Sequence, residues 1–464
     1  MISVDVPIPA GGTGHLPADV FLPGRLPAPV VVVRTPYGTP ALWPEAEVLT
    51  GAGAAVVLQD LRGRYRSAGT FDAGADESAD GHAALDWIAR QSWSDGTSLL
   101  YGTAYEAYAA WCAADHPSVR GVVSRQPWPP RVIAVDEELW WRTELGTGRH
   151  PRPGLYDLAA ARDPGLRGLL ADPASWPVAI GPWPPTPGSW KAQARRALTR
   201  VRAARIPTLH LGSWYCGSAG TSLRQAALAR EATVVMGGWA SPLTHRLQRE
   251  CAIEVPDEPD PGDLAVSWLA TAAAKGDPRE VTGDLLLTLG TGRWKETGPL
   301  PPAVPALEPV AVSPRARRHT LRHDPDDPYP SLAHSADLSV LAARDDVVRL
   351  TVRPPARWHG AARLRCEVTA DAPAELVATL VHERPGGVRV RLCDGTAPLA
   401  AGTREVEVRL TPVAAELPEG HLLHLELTAG RHPRHRAPDR ALVLTFDLDP
   451  DTALLLPRPR EETP

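Results

Sequence analysis

A chain of 464 residues is too long for one ordinary core, and a formal net charge of −5 argues against nucleic acid as its main partner. No apolar run approaches the length of a membrane span. The first residues, MISVDVPIPAGG, lack the basic-then-apolar pattern of a secretory signal, so a cytoplasmic protein with no membrane partner is expected. Cysteines at 112, 216, 251, 366 and 393 are odd in number and form no C-x-x-C pair, which argues against a disulfide framework or a zinc site; no metal and no cofactor is expected.

Along the chain, VVVV (30–33) and AVVL (55–58) are short β-branched runs bounded by turn residues, the pattern of buried parallel strands. Between them PEAEVLTGAG reads as a helix ending at glycine. The stretch Asp76 to Gln91 carries acidic residues in its first turn and apolar positions at helical spacing, so it reads as a second helix, and SLLYG as the next strand. Strand and helix in alternation predict an α/β sheet with crossover helices.

From about 126 to 200 the rhythm breaks into Trp- and Pro-rich sequence, read as an inserted cap of short helices. Its Trp128, Trp140, Trp141, Trp183 and Trp190 either line an aromatic pocket or fill the contact between cap and sheet, and Glu137 and Glu138 read as a solvated helix edge. The strands resume at IPTLHLGSWYC (206–216) and ATVVMGGWA (232–240), followed by the helix DLAVSWLATAAAKG. From 281 the chain is short alternating strands, among them VVRLTV, RLRCEVTA, ELVATLVHE and ALVLTFDL, the pattern of an antiparallel sandwich or jelly roll. The last residues, LLPRPREETP, read as a frayed tail, and the basic runs Arg195 to Arg205 and Arg315 to His319 as solvated faces. The expected domains are therefore 1–125 and 201–280 for the α/β unit, 126–200 for the cap and 281–464 for the β-sandwich.

The stretch LYGTAYEAYAAW (100–111) has the frame of a strand–turn–helix nucleophile elbow, with Gly102 where the backbone must close up. Together with VVVVRTPYG, VVLQDLRGRYRSAGTF, HLGSWYC, VVMGGWASP and LRHDPDDPYPSL, it makes the chain resemble, over nearly all its length, the cocaine-esterase-like hydrolases (CocE/NonD) of the X-Pro dipeptidyl-peptidase S15 group. That resemblance implies an α/β-hydrolase fold with a helical cap and a C-terminal jelly roll. It also implies a Ser-His-Asp triad whose three positions hold Ala104, Ser241 and Cys216 here. Tyr37 stands where the family has an oxyanion-binding tyrosine, and the main-chain N–H of Tyr105 would be the second donor.

Without a nucleophile, base or acid at those places, hydrolysis by the family mechanism is not expected. Other groups nearby have a functional and a plain reading. Cys216 is a nucleophile or an inert filler. His245 is an inward-reaching base or a loop residue. Glu106 is a general base or a helix N-terminal acid placed for the dipole. The residues expected to contact a ligand are Tyr37, Tyr105, Glu106, Trp214 and His245. Two functions remain: a pseudoenzyme that binds a small acyl or peptidyl metabolite or an active paralogue, and a repurposed non-hydrolytic catalyst of cyclase, epimerase or lyase type. An esterase or peptidase with a non-standard nucleophile ranks third.

Overall fold

In the computed structural model the described residues are 1–12, 14–73, 75–128, 164–171, 187–239, 259–296, 306–332, 336–353 and 357–457. Ten strands form the first sheet: β1 (Ile2–Pro9), β2 (His15–Phe21), β3 (Ala28–Thr35), β4 (Ala55–Asp60), β5 (Ser94–Thr103), β6 (Val119–Arg125), β7 (Pro207–Ser213), β8 (Glu231–Gly237), β9 (Leu285–Thr288) and β10 (Arg293–Glu296), in the order β1-β2-β4-β3-β5-β6-β7-β8-β9-β10. The run from β4 through β3 to β9 is parallel, and β1, β2 and β10 pair antiparallel at the edges.

Alternation along these strands sends one residue set to each face. Val30, Val32, Val57, Leu100 and Val122 pack under helices α2 (Ser78–Ala89) and α3 (Tyr105–Ala113). Val31, Val33, Val56, Leu99 and Val123 pack under α1 (Trp43–Gly51) and a later helix, Pro261–Ala273. Both faces are covered, so the strands read as continuous apolar runs.

The other described helices are α4 (Pro164–Ala171), α5 (Pro187–Ala203) and α6 (Ala219–Leu228); the helix Pro261–Ala273 is α7. The expected cap ran to residue 200, but α5 crosses that limit. It buries Ala197 and Val201 against α3's face of the sheet. Nor are its arginines simply a solvated face: Arg196 Nε donates to Tyr108 Oη at 3.0 Å and Arg200 Nη1 to Cys112 O at 2.6 Å. The sheet likewise passes the expected boundary at 281, because β9 pairs parallel with β8 through Leu285 and Leu286.

In the second half the described strands pair antiparallel with one another. Its strands are β11 (Leu307–Val310), β12 (Val312–Ser313), β13 (Arg318–His323), β14 (Val348–Val352), β15 (Arg357–Gly360), β16 (Arg363–Ala370), β17 (Ala374–Glu383), β18 (Arg389–Leu399), β19 (Gly402–Arg409), β20 (Val413–Glu416), β21 (Leu422–Ala429), β22 (Leu442–Asp447) and β23 (Leu454–Pro457). A six-stranded sheet (β11-β23-β16-β22-β13, with β19 on β16) faces a five-stranded one (β12-β14-β21-β17-β18). Their inner faces share one apolar core that also takes in Trp214, Met236 and Leu286 of the first unit. This is the α/β-hydrolase sheet followed by a jelly roll. The expected frayed tail is corrected at its start: Leu455 to Pro457 belong to β23, which pairs with β11 because Leu454 and Leu456 are buried.

Among the described residues no helix is long and apolar enough to cross a membrane.

Candidate functional site

β5 ends at Thr103 and α3 begins at Tyr105, so Ala104 alone makes the turn. It does so at φ 54°, ψ −117°, a region that a residue with a Cβ occupies only when its surroundings force it. The forcing contacts are specific. Ala104 N–H donates to Arg125 O at 3.1 Å, and Ala104 O accepts Trp128 N–H at 3.1 Å. Thr103 N–H donates to Glu106 Oε2 at 3.0 Å. Gly102 has no room for a side chain: a Cβ there would lie 2.3 Å from Glu106 C and 2.5 Å from Ala107 N. The turn presents a methyl group where a strand–turn–helix elbow holds its reactive atom.

β3 is the parallel neighbour of β5, so the segment after β3 lies beside this turn. That segment carries Tyr37, which is half-buried and whose N–H donates to Thr35 Oγ1 at 3.1 Å. It is held from behind by the loop of residues 61–71. Arg64 Nε donates to Pro36 O at 2.9 Å, and the Tyr65 ring packs on Gly38, itself at φ +85°. Arg66 anchors that loop on Asp19 and Asp60, both at 2.8 Å, and Arg62 binds Asp80 at 2.6 Å. Tyr37 is thus fixed next to the first turn of α3. Tyr105 is the first residue of that helix, so its main chain lies at the helix N-terminus directly after the turn.

Glu106 points the other way. Only 4 % exposed, it bonds Thr103 N–H and the Thr35 side chain. Burial pushes its carboxyl up to about 7, against the lowering effect of those hydrogen bonds. It ties the end of β3 to the turn from beneath and is not an open base. Next to it lie buried Tyr101 and half-buried Glu45 and Arg125, a group that sequence reasoning missed. Burial raises the Glu45 carboxyl, with Arg125 opposing that rise. No spacing rule joins residues 45, 101, 106 and 125; only the strand order does.

Cys216 follows β7 and is buried, with its N–H on Ser213 O at 3.3 Å and its Sγ accepting from Ser218 Oγ at 3.1 Å. Trp214 was expected near a ligand. Instead it is 2 % exposed in the core shared with the jelly roll, donates from Nε1 to Leu287 O at 2.8 Å, and packs edge-on against His359. Of the cap tryptophans, Trp128 is buried beside the elbow. Trp140, Trp141 and Trp183 lie outside the described residues, as does the side chain of Trp190. Ser241, His245, Glu137 and Glu138 also lie outside them. The structure therefore places Tyr37, Ala104, Tyr105 and Trp128 just past the carboxyl ends of the central strands β3, β5 and β6, with Glu106 below.

Residues 12–143 match the family described as X-Pro dipeptidyl-peptidase (S15 family). The chain is 25 % identical over 518 aligned residues to cocaine esterase of Rhodococcus sp. (strain MB1 Bresler), an alignment covering 94 % of this chain and 89 % of that one. In three dimensions it is similar to an aminopeptidase from a marine-sediment Thaumarchaeota archaeon, at 16 % identity and a TM-score of 0.77, over 98 % of this chain and 96 % of that one. It is also similar to a CocE/NonD family hydrolase from Staphylococcus aureus, at 16 % identity and a TM-score of 0.68, over 98 % and 93 % of the two chains.

Proposed function

Because the chain belongs to the cocaine-esterase-like (CocE/NonD) branch of the X-Pro dipeptidyl-peptidase S15 group, we propose that it is a non-hydrolytic member, a pseudoenzyme that holds a small acyl or peptidyl metabolite, or an active relative, on the frame of a former active site. One observation carries this reading: Ala104 occupies the strained elbow backbone and brings no nucleophilic atom. The acid position, Cys216, offers a buried thiol hydrogen-bonded to Ser218 and no carboxylate, and the base position is Ser241. Loss of a triad nucleophile lowers turnover on the order of a million-fold, while roughly a thousand-fold over water survives from binding and oxyanion contacts alone. The retained Tyr37 and the helix start at Tyr105 suit the carbonyl or carboxylate of a bound ligand.

The second reading, a repurposed catalyst, draws on Glu106, whose carboxyl titrates near neutral pH. It ranks lower because that carboxyl is buried and engaged inward.

The test is direct. Purified protein treated with a fluorophosphonate probe and with nitrophenyl esters and X-Pro amides is expected to stay unlabelled and to show no turnover above background. Stoichiometric labelling of any serine, with matching turnover, overturns the reading.

A further inference from the structure

After β21 the chain runs Arg431-His432-Pro433-Arg434-His435-Arg436, three arginines and two histidines in six residues. Two of the arginines serve the interior. Arg431 Nη2 binds Glu426 Oε2 at 2.9 Å, and Arg434 Nε binds Asp394 Oδ2 at 3.2 Å, an oxygen shared with Arg391 Nη1 at 3.1 Å. The third, Arg436, is exposed. Its main-chain N–H donates to Glu375 Oε2 at 3.0 Å, and its guanidinium makes no ion pair among the described residues.

This loop, the segment of residues 325–328 and helix α4 enclose a pocket of about 270 Å³. Its lining divides by chemistry. Pro164, Pro325, Pro328, Pro433 and Pro438 make the walls apolar and conformationally fixed. His432 and His435, both buried, lie deeper, and His435 Nε2 is 3.7 Å from Asp394 Oδ2. Arg167 of α4 and Arg436 of the loop also line it, and Arg167 is oriented by donating from Nη1 to Asp326 O at 2.8 Å.

The charge balance favours an anion. Behind His435 the single carboxylate of Asp394 faces the guanidiniums of both Arg391 and Arg434. Of the two acidic residues lining the pocket, Asp439 is paired with Arg440 at 3.4 Å. The remaining one, Asp326, opposes a multiply charged ligand but tolerates a single charge held by two arginines. The volume lies just below the range typical of drug-sized ligands, which sets the size.

We propose that this pocket binds a small carboxylate with an apolar body, its charge held by Arg436 and Arg167 and its body against the prolines. The site belongs to the contact of α4 with the jelly roll. It stands whether or not the elbow has lost hydrolysis.

The experiment is calorimetric titration of the full chain with benzoate and N-acetylproline at neutral pH, with inorganic phosphate as an anion lacking the apolar body. Saturable binding of both carboxylates, tighter than phosphate, is expected. Arg436→Ala is expected to weaken it roughly ten- to a hundred-fold, the loss of a hydrogen bond to a charged group, with an unchanged melting curve. Gly168→Leu supplies a second variant. Gly168 lines the pocket and a Cβ there meets nothing within 4 Å, so leucine is accommodated without a clash and is expected to crowd the pocket and weaken binding.

Absence of saturable binding, or equal affinity in both pocket variants, overturns the proposal. Tighter binding of phosphate overturns the ligand class. Loss of binding in Tyr37→Phe alone moves the carboxylate to the elbow and refutes this site.

Discussion

The carboxyl of Glu106 accepts the N–H of Thr103 at 3.0 Å, so the group that titrates near neutral pH is bonded to the residue just before the strained turn. Burial raises that carboxyl from 4.5 to about 7. The folded state therefore holds a proton between those values that the unfolded chain has released, and stability falls as pH rises through that window. Replacement by the neutral amide, Glu106→Gln, keeps an acceptor for Thr103 and removes the charge. The variant is expected to gain on the wild type as pH rises from 5 to 8, by roughly 1–3 kcal/mol at the upper end. Urea midpoints at four pH values measure it. A difference independent of pH refutes the assignment.

The turn itself makes opposite predictions for neighbouring residues. Gly102→Ala drives a Cβ into the main chain of Glu106 and Ala107, and is expected to destabilise by more than about 3 kcal/mol. Ala104→Gly removes the Cβ from a backbone that disfavours it. Relief of strain worth roughly 1–3 kcal/mol exceeds the added chain entropy of glycine, roughly 0.5–1 kcal/mol, so this variant is expected to melt at or above the wild-type temperature. An Ala104→Gly variant that melts well below wild type means the turn is not strained.

How much of this was legible in the sequence depends on what each residue's neighbours supply. VVVV and AVVL announced central strands because both of their faces are covered. β1 (ISVDVPIP) and β13 (RHTLRH) gave no such signal. β1 lies at a sheet edge where prolines and acids are tolerated, and β13 buries only Leu321 and His323, on either side of the exposed Arg322. Gly102 was readable because a strand–turn–helix elbow leaves no room for a side chain two places before its turn, whereas Tyr37 could be named only through the family resemblance. The directions of Glu106 and Trp214 were not readable. Each could point to the ligand side or to the interior, and packing against β3 and against the jelly roll decided.

His382 and His421 form a second pH-sensitive contact. Their rings stack at 4.9 Å, with Nε2 of the first 2.6 Å from Nδ1 of the second, a bond that needs one neutral ring as acceptor. Burial, reinforced by His421 and Arg384, lowers His382 to about 4. The unfolded chain then binds the extra proton first, and stability is lost as pH falls from about 6.5 toward 4. His382→Gln is expected to flatten that acid limb by about 1–3 kcal/mol. His210, buried and lowered to about 3, contributes with the same sign in both proteins and cancels in the difference.

The last prediction rebuilds the chemistry. Ala104→Ser places a hydroxyl on a turn already at elbow geometry, yet leaves it without a base. This single variant is expected to hydrolyse nitrophenyl esters within about ten-fold of background, since a triad residue acting alone recovers little of the million-fold that the set supplies. The triple variant Ala104→Ser, Cys216→Asp, Ser241→His completes the set. Ser218 Oγ, now donating to Cys216 Sγ at 3.1 Å, would donate to the new carboxylate and hold it, as an orienting acid requires. Turnover at least roughly a hundred-fold above background is expected, with serine labelling by a fluorophosphonate. Adding Tyr37→Phe to the triple variant then reads the oxyanion contact alone. A kcat loss of roughly ten- to a thousand-fold at unchanged KM is the expected result, because the phenol acts on charge that develops only in the transition state. A single Ala104→Ser variant as active as the triple one would mean that a base other than the residue at 241 already serves the elbow, and the protein would then be one serine away from a hydrolase.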